Sequence, residues 1–83
     1  LIQNFPNPFN PSTKISYTIT ERGNVSLKVF NLLGSQVAEL ENGEIEAGNY
    51  EITFNASNLP TGTYFYRLQA GSFVQTKKMI LLK

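Results

Sequence analysis

The sequence predicts an all-β fold, in which about seven antiparallel strands form a two-sheet sandwich behind an extended, proline-rich N-terminal arm. Apolar and polar residues alternate along most of the chain, and turn-forming residues interrupt the alternation at intervals of about 8 to 12 residues. No stretch shows the apolar period of a helix. The 83 residues suffice for one domain with one core. We divide it into the arm (residues 1–12) and the sandwich (residues 13–83).

The arm contains most of the segment NFPNPFNPST, which can form neither a helix nor a central strand. Its prolines lack the backbone donor that either element needs: Pro6, Pro8 and Pro11. Residues that precede proline favour an extended backbone. We therefore expect the arm to lie along an open edge of the sandwich and to prevent pairing with other chains. The rings of Phe5 and Phe9 are expected to be buried at the end of the core.

Three strands are expected in the first half of the chain. Apolar residues alternate with polar ones in Ile15–Ile19 and, after a turn at Arg22–Asn24, again in Val25–Val29. Gly34 can adopt the left-handed conformation that a short bulged hairpin needs, so a second reversal is expected there. The third strand is expected at Gln36–Glu41.

The dipeptide Asn42-Gly43 is the strongest hairpin signal in the chain, because both central positions of a type I′ turn require positive φ. We expect a tight turn there, followed by a short return strand at Glu44–Ala47. A further strand is expected to begin at Gly48. Its inner face comprises Tyr50, Ile52 and Phe54.

The last two strands flank a turn at Ala70–Ser72. Leu59–Gly62 predicts a type I turn, because proline suits its first central position and glycine its end. Alternation predicts the strands themselves in Tyr64–Leu68 and Phe73–Leu82. Tyr64 lies shortly after the corner at Leu59–Gly62. Immunoglobulin-like sandwiches often have a tyrosine at this place, and its hydroxyl forms a hydrogen bond with the backbone of the corner. Short strands at this spacing are typical of that class, and we expect an immunoglobulin-like arrangement.

The composition excludes several classes of function. The chain has no Cys, His, Trp or Asp, and its seven Lys and Arg are balanced by six Glu. Disulfides, thiolate or imidazole metal sites and the usual nucleophile–base pairs are excluded, so we expect no enzyme activity, no cofactor and no metal site. The near-neutral charge argues against nucleic acid as a partner. No stretch would span a membrane. Leu1, with no signal peptide after it, indicates a piece of a longer protein.

Three features resemble binding or charge-pairing sites but have simpler explanations. Four glutamates crowd the predicted hairpin: Glu39, Glu41, Glu44 and Glu46. A two-residue turn cannot supply the oxygens that calcium requires, so we expect a solvated surface.

A sugar-binding platform would need four aromatic residues on one face: Tyr64, Phe65, Tyr66 and Phe73. Alternation separates Phe65 from the two tyrosines, which favours core packing. Arg67 is a candidate for a cross-strand ion pair with a Glu.

The segment KKMILLK, which we call the tail (residues 77–83), places apolar residues between lysines. As structure, it is an edge or near-edge strand whose lysines oppose aggregation. As function, it is a strand that a receptor can read by backbone pairing, with the lysines fixing the register. The residues alone leave both interpretations open.

Four segments, in this order, resemble one family of domains: NFPNPFNPST, VSLKVFNLLGSQVAEL, AGNYEITFNASNLPTGTYFYRLQAG and FVQTKKMILLK. Together they cover nearly the whole chain and resemble the type A C-terminal sorting domain of the type IX secretion system. Two positions depart from the family pattern. Asn31 stands where Asp is usual before Leu-Leu-Gly, and Ser35 stands where a basic residue is common.

The resemblance implies a secretion and surface-sorting signal on an exported cargo protein. The implied partners are the outer-membrane translocon, the N-terminal cargo domains and a sortase-like peptidase that removes the domain on anchoring. The implied location is secreted or at the cell surface, reached through the periplasm and the outer membrane. The resemblance also implies that the translocon recognises a set of residues in the last two strands: Gly62, Tyr64, Tyr66, Leu68, Gly71, Lys77, Lys78 and Lys83.

Other functions are alternatives at this point. The immunoglobulin-like domain of flagellar hook-capping proteins resembles the same NPFNPST and GxYxYRL pieces, and there the domain is an assembly module. A free edge or the arm of one copy could pair with the next copy to form a homo-oligomer or fibre. The domain could also serve a secreted hydrolase as an accessory carbohydrate-binding unit. The segment KKMILLK favours sorting.

Overall fold

The computed structural model describes all residues from 1 to 83 and contains six strands and no helix. The strands are β1 (Ser12–Ile19), β2 (Gly23–Asn31), β3 (Gln36–Ile45), β4 (Gly48–Asn55), β5 (Gly62–Ala70) and β6 (Phe73–Leu81). One antiparallel sheet pairs β1 with β4, and the other has the strand order β3-β2-β5-β6. The two sheets form a sandwich, which confirms the all-β prediction.

The core lies between the two sheets and is formed mainly by alternate residues of their strands. One buried cluster contains Phe9, Ile15, Tyr17, Ile19, Val25, Leu27, Val29, Phe54, Ala56, Tyr64, Tyr66, Leu68, Met79 and Leu81. Successive residues of a strand point to opposite faces, so the alternation that predicted the strands also determines which side chains are buried. β5 and β6 contribute five members of the cluster and are therefore integral to the fold.

The predicted turn at Asn42-Gly43 is wrong, and with it the separate return strand at Glu44–Ala47. β3 continues through both residues as far as Ile45 and pairs with β2 along this length, with Asn42 opposite Ser26. The ladder with β2 outweighs the local turn preference, and the chain reverses only after Ile45. The structure therefore has six strands where about seven were expected.

β3 is an irregular edge strand. Its register against β2 shifts twice, and the extra residues on the β3 side are Leu40 and Val37. Both residues pack against the core as parts of bulges. A bulge twists an edge strand and opposes pairing with another chain, so the fold protects this edge of the four-stranded sheet.

The predicted hairpins at Gly34 and Gly71 and the predicted tyrosine corner are confirmed. Gly34 has a φ of 88° between β2 and β3, and Gly71 has a φ of 61° between β5 and β6. These are left-handed conformations that glycine adopts most readily. The Tyr64 hydroxyl donates a hydrogen bond to the Pro60 carbonyl at 2.6 Å, which ties the start of β5 to the preceding corner.

The arm lies along one side of the sandwich and connects the edges of both sheets. Phe5 and Lys14 of β1 exchange backbone hydrogen bonds of 3.1 and 2.9 Å. Further along the arm, the Phe9 N–H donates to the Ile80 carbonyl at 2.9 Å, and the Leu82 N–H donates to the Phe9 carbonyl at 3.0 Å. The arm therefore lies against the edge of β1 and against the end of β6.

Only one of the two phenylalanines of the arm is buried. Phe9 is 2% exposed and belongs to the core, as expected, whereas Phe5 is 79% exposed and its expected burial is wrong. Phe5 pairs with Lys14, and cross-strand partners project to the same face of a sheet. Because the Lys14 face is open to solvent, Phe5 is exposed with it. Two prolines between these pairings, Pro6 and Pro8, are exposed, and the Pro11 carbonyl accepts a hydrogen bond from the Ala56 N–H.

Candidate recognition site

The residues for which the sequence resemblance implied a role in recognition fall into a buried group and a more accessible group. The side chains of Tyr64, Tyr66 and Leu68 belong to the core. Gly62 is the first residue of β5, and Gly71 forms the turn before β6. A partner that binds the folded domain does not reach the three buried side chains, which hold β5 in place instead. The accessible part of the site comprises Gly71 and the lysines of the tail.

The lysines of the tail project in different directions from β6 and from the residues that follow it. Lys77 lies opposite the buried Tyr66 and so shares the inner face of β6, where it is partly buried. Lys78 is the next residue and is exposed on the outer face. The Lys83 ammonium group donates to the Ser57 carbonyl at 2.6 Å, and its backbone N–H donates to Thr61 Oγ1 at 3.1 Å.

None of these lysines forms an ion pair. The salt bridges of the domain lie elsewhere and join Lys14 to Glu51, and Arg22 to both Glu44 and Glu46. All six glutamates occur within residues 21–51, whereas five of the seven basic residues lie outside that range. β3 and β6 are opposite edges of the same sheet. The domain therefore has an acidic edge at β3 and a basic edge at β6.

Arg67 packs on an aromatic ring rather than against a carboxylate, so the candidate ion pair with a Glu is wrong. Its Cζ lies 4.7 Å from the centroid of the Phe30 ring, which is a cation–π contact. Its cross-strand neighbours are Lys28 on β2 and Thr76 on β6. Like charges directly opposite each other are unfavourable. On its other side Lys28 lies opposite Glu39 of β3, whereas Arg67 has no carboxylate directly opposite it on either neighbouring strand.

The aromatic residues do not form a shelf for a sugar ring. Tyr64 and Tyr66 are buried, whereas Phe65 lies on the outer face opposite Lys78. Phe73 is exposed at the beginning of β6. This separation follows the alternation predicted for β5 and confirms core packing for the two tyrosines.

Sequence reasoning missed two amide side chains of the arm that hold the tail. Gln3 Nε2 donates to the Lys78 carbonyl at 2.8 Å, and Asn7 Oδ1 accepts from the Ile80 N–H at 2.9 Å. For Asn7 the signal was present in the sequence, because Asn residues among prolines can form side-chain hydrogen bonds where the proline backbone has no donor. Which strand they reach depends on the tertiary fold.

Asn4 is a third missed residue and connects the arm to the core. It is buried, and its Nδ2 donates to the Pro6 carbonyl at 3.1 Å and to Thr13 Oγ1 at 3.0 Å. Its backbone N–H donates to the Tyr66 hydroxyl. Burial raises the pKa of the Tyr66 hydroxyl above the usual 10.0, and the hydrogen bond from Asn4 acts in the opposite direction.

The hairpin tip between β2 and β3 exposes two leucines, Leu32 and Leu33. The tip is fixed by Asn31, whose Oδ1 accepts from the backbone N–H of Leu33 at 3.1 Å and of Ser35 at 2.9 Å. An Asp carboxylate would accept the same two bonds. Asn31 therefore preserves the local geometry although it departs from the family pattern at this position.

The fold and the tail together define a class: a small antiparallel β-sandwich domain with an accessible basic terminal strand. The sequence profile of the family described as the secretion system C-terminal sorting domain matches residues 3–82, and the chain belongs to this family. Domains of this family are the sorting signals of cargo proteins of the type IX secretion system. They direct export through the outer membrane to the cell surface or the medium. A sorting-signal domain is not a catalytic unit.

Comparisons with curated proteins and with solved structures gave no match. Neither the self-associating nor the carbohydrate-binding alternative is supported. The relation to immunoglobulin-like domains and to hook-capping proteins stays a prediction. No helix of the structure is long and apolar enough to cross a membrane.

Proposed function

We propose that the outer-membrane translocon of the type IX system recognises this domain through the lysines of the tail: Lys77, Lys78 and Lys83. β5 and β6 are the frame that presents these lysines. Tyr64, Tyr66 and Leu68 contribute through the core, while Gly62 and Gly71 set the two ends of β5. Recognition then depends on a folded sandwich and not on an unstructured terminal peptide.

The observation that carries this proposal is the pair of consecutive lysines without an anionic partner. Lys77 and Lys78 are consecutive residues of β6 and therefore lie on its opposite faces. The sequence has no Asp or Glu after Glu51. Lysines whose only role is solubility need no fixed direction. These two project from a strand that is fixed by β5 on one side and, at its end, by the arm on the other.

We further propose that the domain acts as a ligand and a substrate. The translocon and a sortase-like peptidase are its partners, and the peptidase separates the cargo domains from it on anchoring. The domain has no catalytic role of its own in this proposal, since it has no Cys, His or Asp from which nucleophile–base pairs are usually built.

A reporter fusion with charge-reversal variants tests this function. The 83 residues are fused to an unrelated periplasmic reporter in a type IX-competent host, and the reporter is located by cell fractionation. Lys77→Glu and Lys78→Glu should leave the reporter in the periplasm. Lys14→Glu is the matched control, because it changes the net charge equally on the other sheet and should allow export. Normal surface display of both tail variants would overturn the proposal.

Point variants are preferable to deletion of the tail. Met79 and Leu81 are fully buried members of the core, so removal of residues 77–83 would unfold the domain as well as remove the lysines. Export failure of such a truncation would not separate recognition from stability. Circular dichroism of each purified variant tests whether Lys77→Glu and Lys78→Glu remain folded.

A further inference from the structure

β6 has an edge that the arm covers only in part. The backbone groups of Lys78, Ile80 and Leu82 point away from β5, since they bond to Gln3, Asn7 and Phe9 of the arm. Backbone groups alternate in direction along a strand. Those of Val74 and Thr76 therefore point to the same side, where no part of the chain bonds to them. We call this stretch, Phe73 to Lys78, the open edge.

The side chains around the open edge combine apolar surface with positive charge. Phe73 and Val74 are 52% and 53% exposed at its beginning. Lys77 and Lys78 follow on the inner and outer faces, and Arg67 of β5 lies opposite Thr76. No carboxylate of β5 or β6 compensates these three cations.

We propose that the open edge binds an extended, acidic segment of a protein partner, which adds to the four-stranded sheet as a further strand. The inference rests on the proposed function, because it states how the translocon reads the tail. Backbone pairing at Val74 and Thr76 supplies the affinity. Carboxylates on both faces of the added strand meet Lys77 on one side and Lys78 on the other, and they fix its register.

The unpaired backbone groups favour a polypeptide over a phosphate group or a glycan. An anionic lipid or sugar could neutralise the lysines, but it could not continue a ladder of alternating N–H and C=O groups. A second copy of this domain is disfavoured, because its acidic edge strand, β3, is interrupted by two bulges that oppose pairing. The lysines in turn repel basic strands, so the edge selects acidic ones.

Binding is tested first with the purified 83-residue chain and a synthetic peptide. The probe is a short capped peptide with valines at one end, threonines in the middle and two consecutive glutamates at the other end. It is made in both sequence orders, because an added strand can run parallel or antiparallel to β6. In an NMR titration one order should shift the amide signals of Val74 and Thr76 and slow their hydrogen exchange. Replacing both glutamates by glutamine should weaken binding by about tenfold.

Thr76→Pro separates backbone pairing from charge. It removes an N–H that points away from β5, at an edge position where proline is tolerated, and leaves all three cations in place. We expect it to abolish binding of the peptide, whereas the matched variant Thr76→Ala keeps the N–H and should bind as the native domain does. Circular dichroism tests whether both variants are folded. If Thr76→Pro binds the peptide normally, or if neither peptide order protects Val74 and Thr76, strand addition is wrong.

Export of the reporter fusion distinguishes this inference from the proposed function. Loss of export for both Lys78→Glu and Thr76→Pro, with export retained for Thr76→Ala, supports strand addition to the open edge. Loss of export for Lys78→Glu alone supports recognition by the tail but overturns strand addition. Light scattering tests whether a second copy of the domain binds the open edge instead. If the native domain forms a dimer or fibre that Thr76→Pro dissociates, the edge pairs with a second copy and the inference is overturned.

Discussion

The hydroxyl of Tyr66 accepts a hydrogen bond from the backbone N–H of Asn4 at a distance of 2.8 Å. The same hydroxyl donates to the Ile2 carbonyl at 3.0 Å. Tyr66 belongs to the four-stranded sheet, whereas this part of the arm pairs with β1 of the two-stranded sheet. Tyr66 therefore joins the arm to the four-stranded sheet, while backbone pairing joins the same part of the arm to the two-stranded sheet.

Tyr66→Phe should lower the free energy of unfolding by about 1 to 3 kcal/mol, because the Asn4 N–H and the Ile2 carbonyl lose their partner at a largely buried position. The shape of the core is unchanged, so the loss reports the hydrogen bonds. Urea denaturation measures the difference, and hydrogen exchange at the Asn4 amide should become faster.

Tyr50→Phe is the control for Tyr66→Phe. The Tyr50 hydroxyl donates to the Glu46 carbonyl at 2.6 Å at an exposed position, where water can replace the hydroxyl. The expected loss of stability is therefore smaller, at most about 0.5 kcal/mol. Equal losses for the two variants would contradict a special role of Tyr66 in holding the arm.

Stability should fall at alkaline pH because two buried tyrosines resist ionisation. Burial raises the pKa of Tyr66 and of Tyr17 above the usual 10.0, and at Tyr17 the charges of Glu41 and Tyr50 add to the effect. Once the pH exceeds about 10, the unfolded chain releases these protons and the folded chain retains them. The contribution is fully present below pH 10 and is lost as the pH rises through the folded-state pKa.

Urea denaturation from about pH 8 to pH 11.5, at constant ionic strength, measures this dependence. The free energy of unfolding should stay level at first and decline above about pH 10. Tyr66→Phe should reduce the slope of the decline because it removes one of the two titrating groups. A slope that is identical in the native domain and in this variant would show that Tyr66 does not contribute.

The alternation of apolar residues was sufficient to predict the strands and most of the core, because burial on one face of a sheet requires it. Local signals failed where tertiary pairing opposed them. Asn42-Gly43 favours a turn in isolation, but β2 supplies a ladder partner beyond it. Phe5 is as apolar as Phe9, and only its pairing with Lys14 directs it to solvent. The open edge at Val74 was likewise not predictable, because it depends on how far the arm extends along β6.

The two phenylalanines of the arm provide a paired test of its packing. Phe9→Ala should lower the free energy of unfolding by about 3 to 5 kcal/mol, because the ring is buried in the core, 6.3 Å from the Phe54 ring centroid. Phe5→Ala should change it by no more than about 0.5 kcal/mol, because the ring is exposed. Thermal denaturation of both variants measures the difference. Comparable losses would indicate that Phe5 also packs against the sandwich.

The hairpin tip that carries Leu32 and Leu33 should depend on one oxygen atom of Asn31. Asn31→Ala removes the acceptor for the backbone N–H groups of Leu33 and Ser35, and we expect a loss of about 1 kcal/mol. Asn31→Asp retains an acceptor in the same place and should preserve the stability at neutral pH. Denaturation gives the free energies, and hydrogen exchange at the Leu33 and Ser35 amides gives the local effect. Faster exchange in Asn31→Asp than in Asn31→Ala would refute this explanation of the tip.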